Sequence, residues 1–294
     1  ATTGDVAAAV ARAARDAKKP VVAAFVSAEP VRLPGLAVLP YPESAARALA
    51  LAWQRTQWLR RDAGEVPELD ADADAARAAI AGAEGWIDPR ALLAAYGIPL
   101  VQERTAANAD EAVSAARELG FPAVVKTAAP GAHKSESGGV ALDLRDEAAV
   151  RAAVERIGAP VLVQPHLTVG TELLAGIVQD PTFGPLVAFG PGGVYAELIG
   201  EAAFRLAPLT DADARELVES GKAGRLVRGF RGTTAADADA LVDLLLRLGR
   251  LAHDIPEIAE LDLNPVLALP HGCLALDARV RVAESAQTHA LKSW

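Results

Sequence analysis

Apolar and polar positions along this chain switch between a helical and a strand period, and the switches mark its elements. Residues 6–17 (VAAAVARAARDA) carry helical spacing, and 20–27 (PVVAAFVS) form a nearly continuous apolar run typical of a buried parallel strand. Residues 36–42 (LAVLPYP) give a second short strand. The helix that follows has Pro42 at its start and Ala46, Leu49, Trp53 and Leu59 as its predicted apolar face. Together these form one βαβ-like portion of a doubly wound parallel sheet, too small to be a domain alone. Residues 62–84 are acidic and alanine-rich, broken by Gly64 and Pro67, and read as a linker with room for a short helix.

From Trp86 the pattern changes. DPRALLAAYGIPL predicts a helix capped by Asp88 and stopped at Gly97 and Pro99. NADEAVSAARELGFP carries Asn108 and Glu111 at capping-box spacing, with Gly120 and Pro122 closing the helix. The strand AVVKTA, the loop after it, and the strand GGVALDL come next. A helix (145–158), the strand APVLVQPHL and a two-strand segment (171–193) ending in a glycine loop follow. Residues 237–254 set Leu241, Leu244, Leu245, Leu248 and Leu251 on one helical face, which reads as core. Residues 259–282 predict a hairpin turning at Pro270, His271 and Gly272.

Composition narrows the function classes. At 294 residues and 51% hydrophobic content the chain has material for two cores. A net charge of -9 argues against sequence-independent nucleic-acid binding. No run approaches the about 18 apolar residues that a membrane span requires. The first segment is interrupted by Asp5, Arg12 and Arg15 and reads as a helix, not a signal peptide. A single cysteine excludes an internal disulfide framework and is compatible with a reducing compartment, so a cytoplasmic location is expected. The chain contains no methionine, which fits a portion of a larger protein.

The candidate chemistry is concentrated in a few stretches. In KTAAPGAHKSESGG a strand-borne Lys126 precedes a glycine-bounded loop carrying His133, Lys134 and Ser135. Compact cations and approachable backbone N–H groups suit a phosphate, although a solvated basic loop has the same composition. His133 is open to three readings: a surface residue, a hydrogen-bonded structural one, or a phosphoryl-accepting nucleophile. In LDLNP and LALD, Asp262 and Asn264 share a strand face and Asp277 lies on the hairpin partner. These are hard oxygen donors suited to Mg²⁺ with nucleotide phosphates, or a plain polar hairpin end. Gln164 and Glu172 flank a short loop and could meet an adenine edge and a ribose hydroxyl, or be ordinary strand-end polarity. FGPGGVYAE is a second phosphate cradle or a simple turn. The remaining histidines show no ligand spacing.

Taken jointly, GFPAVVKTAAPGAHKSESGGVAL, VLVQPHLTVGTELLAGIVQDPTFGPLVAFGPGGVYAE, FRLAPL, RGFRG and AELDLNPV resemble the ATP-grasp portion of ADP-forming acyl-CoA synthetases, relatives of succinyl-CoA synthetase. The resemblance spans about 85–294. It implies an α/β chain with an ATP-grasp fold of two α+β subdomains at 85–294. Residues 1–61 would be the closing part of a flavodoxin-like CoA-ligase domain. It further implies that ATP or ADP and Mg²⁺ are bound, with Lys126 and Arg205 on phosphates, Gln164 and the backbone near Leu167 against adenine, and Glu172 on the nucleotide. Asn264 and Asp277, with Asp262 adjacent, would hold Mg²⁺. His133 would be a phosphoryl carrier, with Glu136 standing where an aspartate is usual. CoA, a small carboxylic acid and the missing CoA-ligase half would be the partners. Two rival readings are a nucleotide-binding regulatory region of a fused protein acyltransferase, without turnover, and a carboxylate–amine ligase, which has no need of a loop histidine.

Overall fold

The computed structural model describes residues 3–25, 31–128, 138–193, 202–230 and 232–283. The chain divides into two compact units, Ala1–Asp62 and Ala63–Trp294.

In the first unit, α1 (Thr3–Arg15) precedes β1 (Val22–Ala24), which pairs in parallel with β2 (Ala37–Leu39), and α2 (Pro42–Arg60) follows. The expected parallel pair is present. The expected apolar face of α2 is not covered: Leu49, Trp53 and Leu59 are exposed, and Ala45 is the buried residue of the helix. Two strands of three residues each offer too little surface to cover a five-turn helix. Trp58 is instead flanked by the guanidinium groups of Arg55 and Arg61, 4.4 and 5.2 Å from its ring centre.

The segment 62–84, expected as a linker, is built into the second unit. Its helix α3 (Ala73–Ile80) is capped by Asp72, whose carboxylate accepts from Ala75 N at 2.9 Å. Ala76 and Ile80 lie in the main core, and Glu65 N donates to Asp211 Oδ1 at 2.9 Å. The alternation of alanine with aspartate is therefore an amphipathic helix that buries Ala76 and Ile80.

The second unit holds two sheets. The larger comprises β3 (Gly85–Ile87), β8 (Thr171–Asp180), β9 (Gly184–Pro191), β10 (Ala203–Leu206), β11 (Ile258–Ala268), β12 (Cys273–Ala275) and β13 (Ala278–Val282). Their order is β10-β9-β8-β11-β13-β3, with β12 also on β11. Its inward face packs on α3, α4 (Arg90–Ala95), α7 (Asp211–Glu219), α8 (Gly221–Val227) and the long α9 (Ala238–Asp254). The five leucines expected on α9 are all essentially inaccessible. Asp237 caps this helix, accepting from Ala240 N at 3.0 Å, and also accepts from Gly272 N in the hairpin turn at 2.8 Å.

The smaller sheet has the order β4-β7-β5-β6, from β4 (Arg104–Ala106), β5 (Ala123–Thr127), β6 (Val140–Leu144) and β7 (Val161–Pro165), with antiparallel pairs throughout. Helices α5 (Ala109–Leu119) and α6 (Glu147–Ile157) supply its separate core. The forward half of the predicted capping box is present, Asn108 Oδ1 accepting from Glu111 N at 2.9 Å, while the Glu111 carboxylate reaches one residue further back and accepts from Ala107 N at 2.8 Å.

Candidate functional site

Residues of both sheets of the second unit meet at the hairpin β11–β12–β13. Lys126 on β5 and Gln164 on β7 are 6% and 4% exposed, and are the buried polar side chains among the described residues. A buried ammonium needs acceptors, because desolvation without them is costly. Lys126 Nζ donates to the Leu276 carbonyl at 2.7 Å and lies 3.6 Å from Asp277 Oδ1. Gln164 Nε2 donates to the same carbonyl at 3.2 Å and to Glu103 Oε2 at 2.7 Å.

The hairpin register explains why Asn264 and Asp277 belong together. Leu263 pairs with Ala278 and Val266 with Ala275, so the intervening positions set Asn264 opposite Asp277. Residues directly across an antiparallel pair share a face. Leu261 and Leu263 are in the core, so Asp262 and Asn264 face away from the helices. Asn264 Oδ1 accepts from Gly193 N at 3.0 Å. Gly193 has φ +63°, and a Cβ there would collide with the Glu172 carboxylate. Glu172, the glycine loop after β9, and Asn264 therefore converge, and only glycine fits between them.

The positions expected from sequence divide accordingly. Lys126, Gln164, Asn264 and Asp277 are tied together through the hairpin, and Glu172 joins Asn264 through Gly193. Asp262 is on the same face as Asn264, one pair along, opposite Arg279. Leu167 lies in the loop after β7 and is 36% exposed. Arg205 is elsewhere. Its strand pairing runs through Val187 and Ile177 to Leu261, which puts it on the helix-bearing face, where its guanidinium pairs with Glu216 Oε1 at 3.0 Å. His133, Lys134 and Ser135 lie outside the described residues. Two participants had no sequence signal: Glu103, an isolated carboxylate before a three-residue strand, and the Leu276 carbonyl, a backbone group.

Among the described residues, no group of three or more His, Cys, Asp or Glu side chains could bind a metal unaided. An amide and a carboxylate facing each other across a hairpin fit Mg²⁺ that takes its other oxygens from phosphates and water. A buried lysine beside them fits the phosphates themselves.

Two α/β layers with a buried lysine directed at an Asn/Asp hairpin are the frame of an ATP-grasp unit. Residues 85–282 match the ATP-grasp domain family, and the chain belongs to it. More particularly, its relatives are ADP-forming acyl-CoA ligases. It is 35% identical over 209 residues to the acetate–CoA ligase [ADP-forming] I beta subunit of Pyrococcus furiosus, covering 66% of this chain and 90% of that one. It is 40% identical over 217 residues to the Archaeoglobus fulgidus acetate–CoA ligase [ADP-forming] I, covering 70% of this chain but 31% of that protein's length. An acetyl-coenzyme A synthetase from Ca. Korarchaeum cryptofilum, solved with coenzyme A and Mg-AMPPCP and with its phosphohistidine segment pointing towards the nucleotide site, superposes with a TM-score of 0.63. It is 40% identical, over 72% of this chain and all of that one.

Proposed function

We propose that this chain is the nucleotide-binding and phosphoryl-relay part of an ADP-forming acyl-CoA synthetase. The observation that carries the reading is the buried convergence of Lys126 and Gln164 on the hairpin bearing Asn264 and Asp277, in a chain similar to ADP-forming ligases. Lys126 holds ATP phosphates, Gln164 and the backbone at Leu167 meet the base, and Glu172 takes the ribose side. Arg205, ion-paired on the other face, is left out of the phosphate set. Mg²⁺ would be held by Asn264 and Asp277, with Asp262 adjacent, and would offset phosphate charge when bound.

His133 is the acceptor. Its neutral imidazole nitrogen attacks the γ-phosphorus, the bond from phosphorus to the ADP oxygen breaks, and the phosphoryl group resides on the ring. Lys134 and Ser135 stand beside it to meet the added charge. The phosphoryl group then passes toward a CoA-ligase half, where an acyl phosphate would form and be taken by CoA. Residues 1–61 are read as the closing part of that half. The naming of the Pyrococcus relative as a beta subunit supports such a partner, and the cytoplasm suits a reaction that uses ATP and CoA.

Incubation with γ-labelled ATP and Mg²⁺ tests this. Acid-labile, base-stable label on the wild type that is absent from His133→Ala is the expected result. Unlabelled protein that still binds ATP would overturn the relay and favour a regulatory nucleotide site.

A further inference from the structure

We infer that Glu103 is a positioning residue that locks the Gln164 amide with its oxygen as the outward group, so that the site selects adenine over guanine or hypoxanthine. The inference rests on the nucleotide reading above and deepens it.

Gln164 Nε2 contacts the Glu103 carboxylate at 2.7 Å and the Leu276 carbonyl at 3.2 Å. Both partners can only accept, so this end of the amide is the NH₂, and both of its hydrogens are engaged. The amide oxygen is what remains to offer a ligand. A free glutamine presents either end of its amide with equal ease. Here a flip would set the oxygen against a carboxylate and a carbonyl, giving up two donor bonds and creating two lone-pair contacts.

Glu103 is itself held. Its side chain is 11% exposed, and its Oε1 lies 3.8 Å from Arg90 Nε. Arg90 is fixed in turn by Asp88, with Nε donating at 3.0 Å to each carboxylate oxygen, and its Nη1 is 3.5 Å from Thr105 Oγ1. The Asp88 carboxyl is held below its ordinary range, chiefly by the hydrogen bonds from Arg90, so this brace stays ionised at neutral pH. The chain Asp88–Arg90–Glu103–Gln164 thus ends on a fixed acceptor beside Lys126.

A fixed acceptor discriminates between purines at one atom. Adenine carries an amino donor at position 6, whereas guanine and hypoxanthine carry a carbonyl oxygen there. The donor completes the Gln164 oxygen, and the carbonyl repels it. Purine itself, with hydrogen at that position, falls between the two.

Calorimetric titration of the full chain with Mg²⁺ and ATP, ITP, GTP or purine riboside triphosphate tests the idea. Wild type is expected to bind ATP at least about tenfold tighter than ITP or GTP, with the unsubstituted purine intermediate. Glu103→Gln can present its own NH₂ to Gln164 and so removes one of the two acceptors that bar the flip, leaving the Leu276 carbonyl, and its ATP-to-ITP ratio is expected to fall at least about threefold. The wild-type series stands whether or not that variant folds. Wild-type affinities that ignore the base would overturn the inference while leaving the nucleotide site intact. So would a Glu103→Gln variant that weakens every nucleotide equally, since a structural role alone does that. Failure of the wild type to bind any of the four would overturn the nucleotide reading, and this inference with it.

Discussion

Lys126 and Gln164, on neighbouring strands of the smaller sheet, donate to one and the same carbonyl, Leu276 O, at 2.7 and 3.2 Å. That oxygen belongs to the hairpin of the larger sheet, so one backbone atom there takes donors from two strands of the smaller sheet. Its two lone pairs are both used, and removing either donor has effects on both sheets.

Lys126→Met keeps the length of the side chain but removes the donor. It leaves a carbonyl with one donor fewer and a phosphate without its cation. A stability loss of about 1–3 kcal/mol is expected from the broken bond in a buried setting. ATP affinity should fall at least about tenfold, or 1.4 kcal/mol, measured by calorimetry below the melting transition. Full retention of affinity would remove Lys126 from the phosphate set.

Asp277→Ala and Arg205→Ala form a contrasting pair, because the sheet register puts them on opposite faces. The first should weaken Mg²⁺-dependent ATP binding by about tenfold or more, while the second leaves it within about twofold. Equal losses in the two variants would contradict the face assignment.

Gly193→Ala places a Cβ against the Glu172 carboxylate at a φ of +63°. The left-handed backbone alone costs about 1–2 kcal/mol, and Glu172 must move as well. We expect a lower melting temperature and weaker nucleotide binding together. Adding Glu172→Ala should recover part of the stability and none of the binding.

Cys273 sits with its Sγ 3.5 Å from the Ala240 carbonyl, and burial, then the charges of Asp243 and Asp237, push its thiol up to about 12. At pH 8 the thiolate is then on the order of one part in ten thousand. Reaction with a disulfide reagent should be at least about a hundredfold faster in guanidinium chloride than in the folded protein. Comparable rates would place the thiol in contact with solvent.

Asp254 gives a pH signature. Burial raises its carboxyl pKa, but hydrogen bonds from Arg250 Nε at 2.7 Å and Tyr96 Oη at 2.8 Å outweigh it and leave the group below its ordinary value. A depressed folded pKa stabilises above the unfolded value of about 3.9 and ceases to as pH falls through the folded value. The melting-temperature advantage over Asp254→Asn should be constant from neutral pH down to about 5 and shrink below about 4. An advantage that grows on acidification would reverse the sign.

Much of this was legible in the chain. The leucine stripe of α9, the capping box at Asn108 and the strand order along 123–193 follow from periodicity and local hydrogen bonding, which residues a few positions apart determine. Lys126, Gln164, Asn264 and Asp277 stood out as a strand-borne cation before a glycine-bounded loop, a strand-end amide and oxygen donors on facing strands of a hairpin. Three features escaped for a common cause, that long-range geometry decides them. The acidic stretch 62–84 was read as a linker with room for a short helix, and its packing into the main core went unseen because all but one of the apolar residues of that helix are alanines. The apolar side of α2 was read as buried from spacing alone. Arg205 was grouped with the phosphates although strand parity, invisible without pairing, turns it to the other face. Glu103 had no signal at all, since its importance comes from Gln164, sixty-one positions away.

Asp237 serves two masters, and this has a mechanical consequence. Its carboxylate closes the first turn of α9 and also grips Gly272 N, while its own amide donates to Leu269 O at 2.8 Å. The tip of the hairpin is thereby pegged to the helix that forms the centre of the core. A strand pair can ordinarily creep by two residues and keep its faces. Here such a slip would have to tear the peg first, so Leu276 and Asp277 hold their positions as firmly as the leucines beneath them.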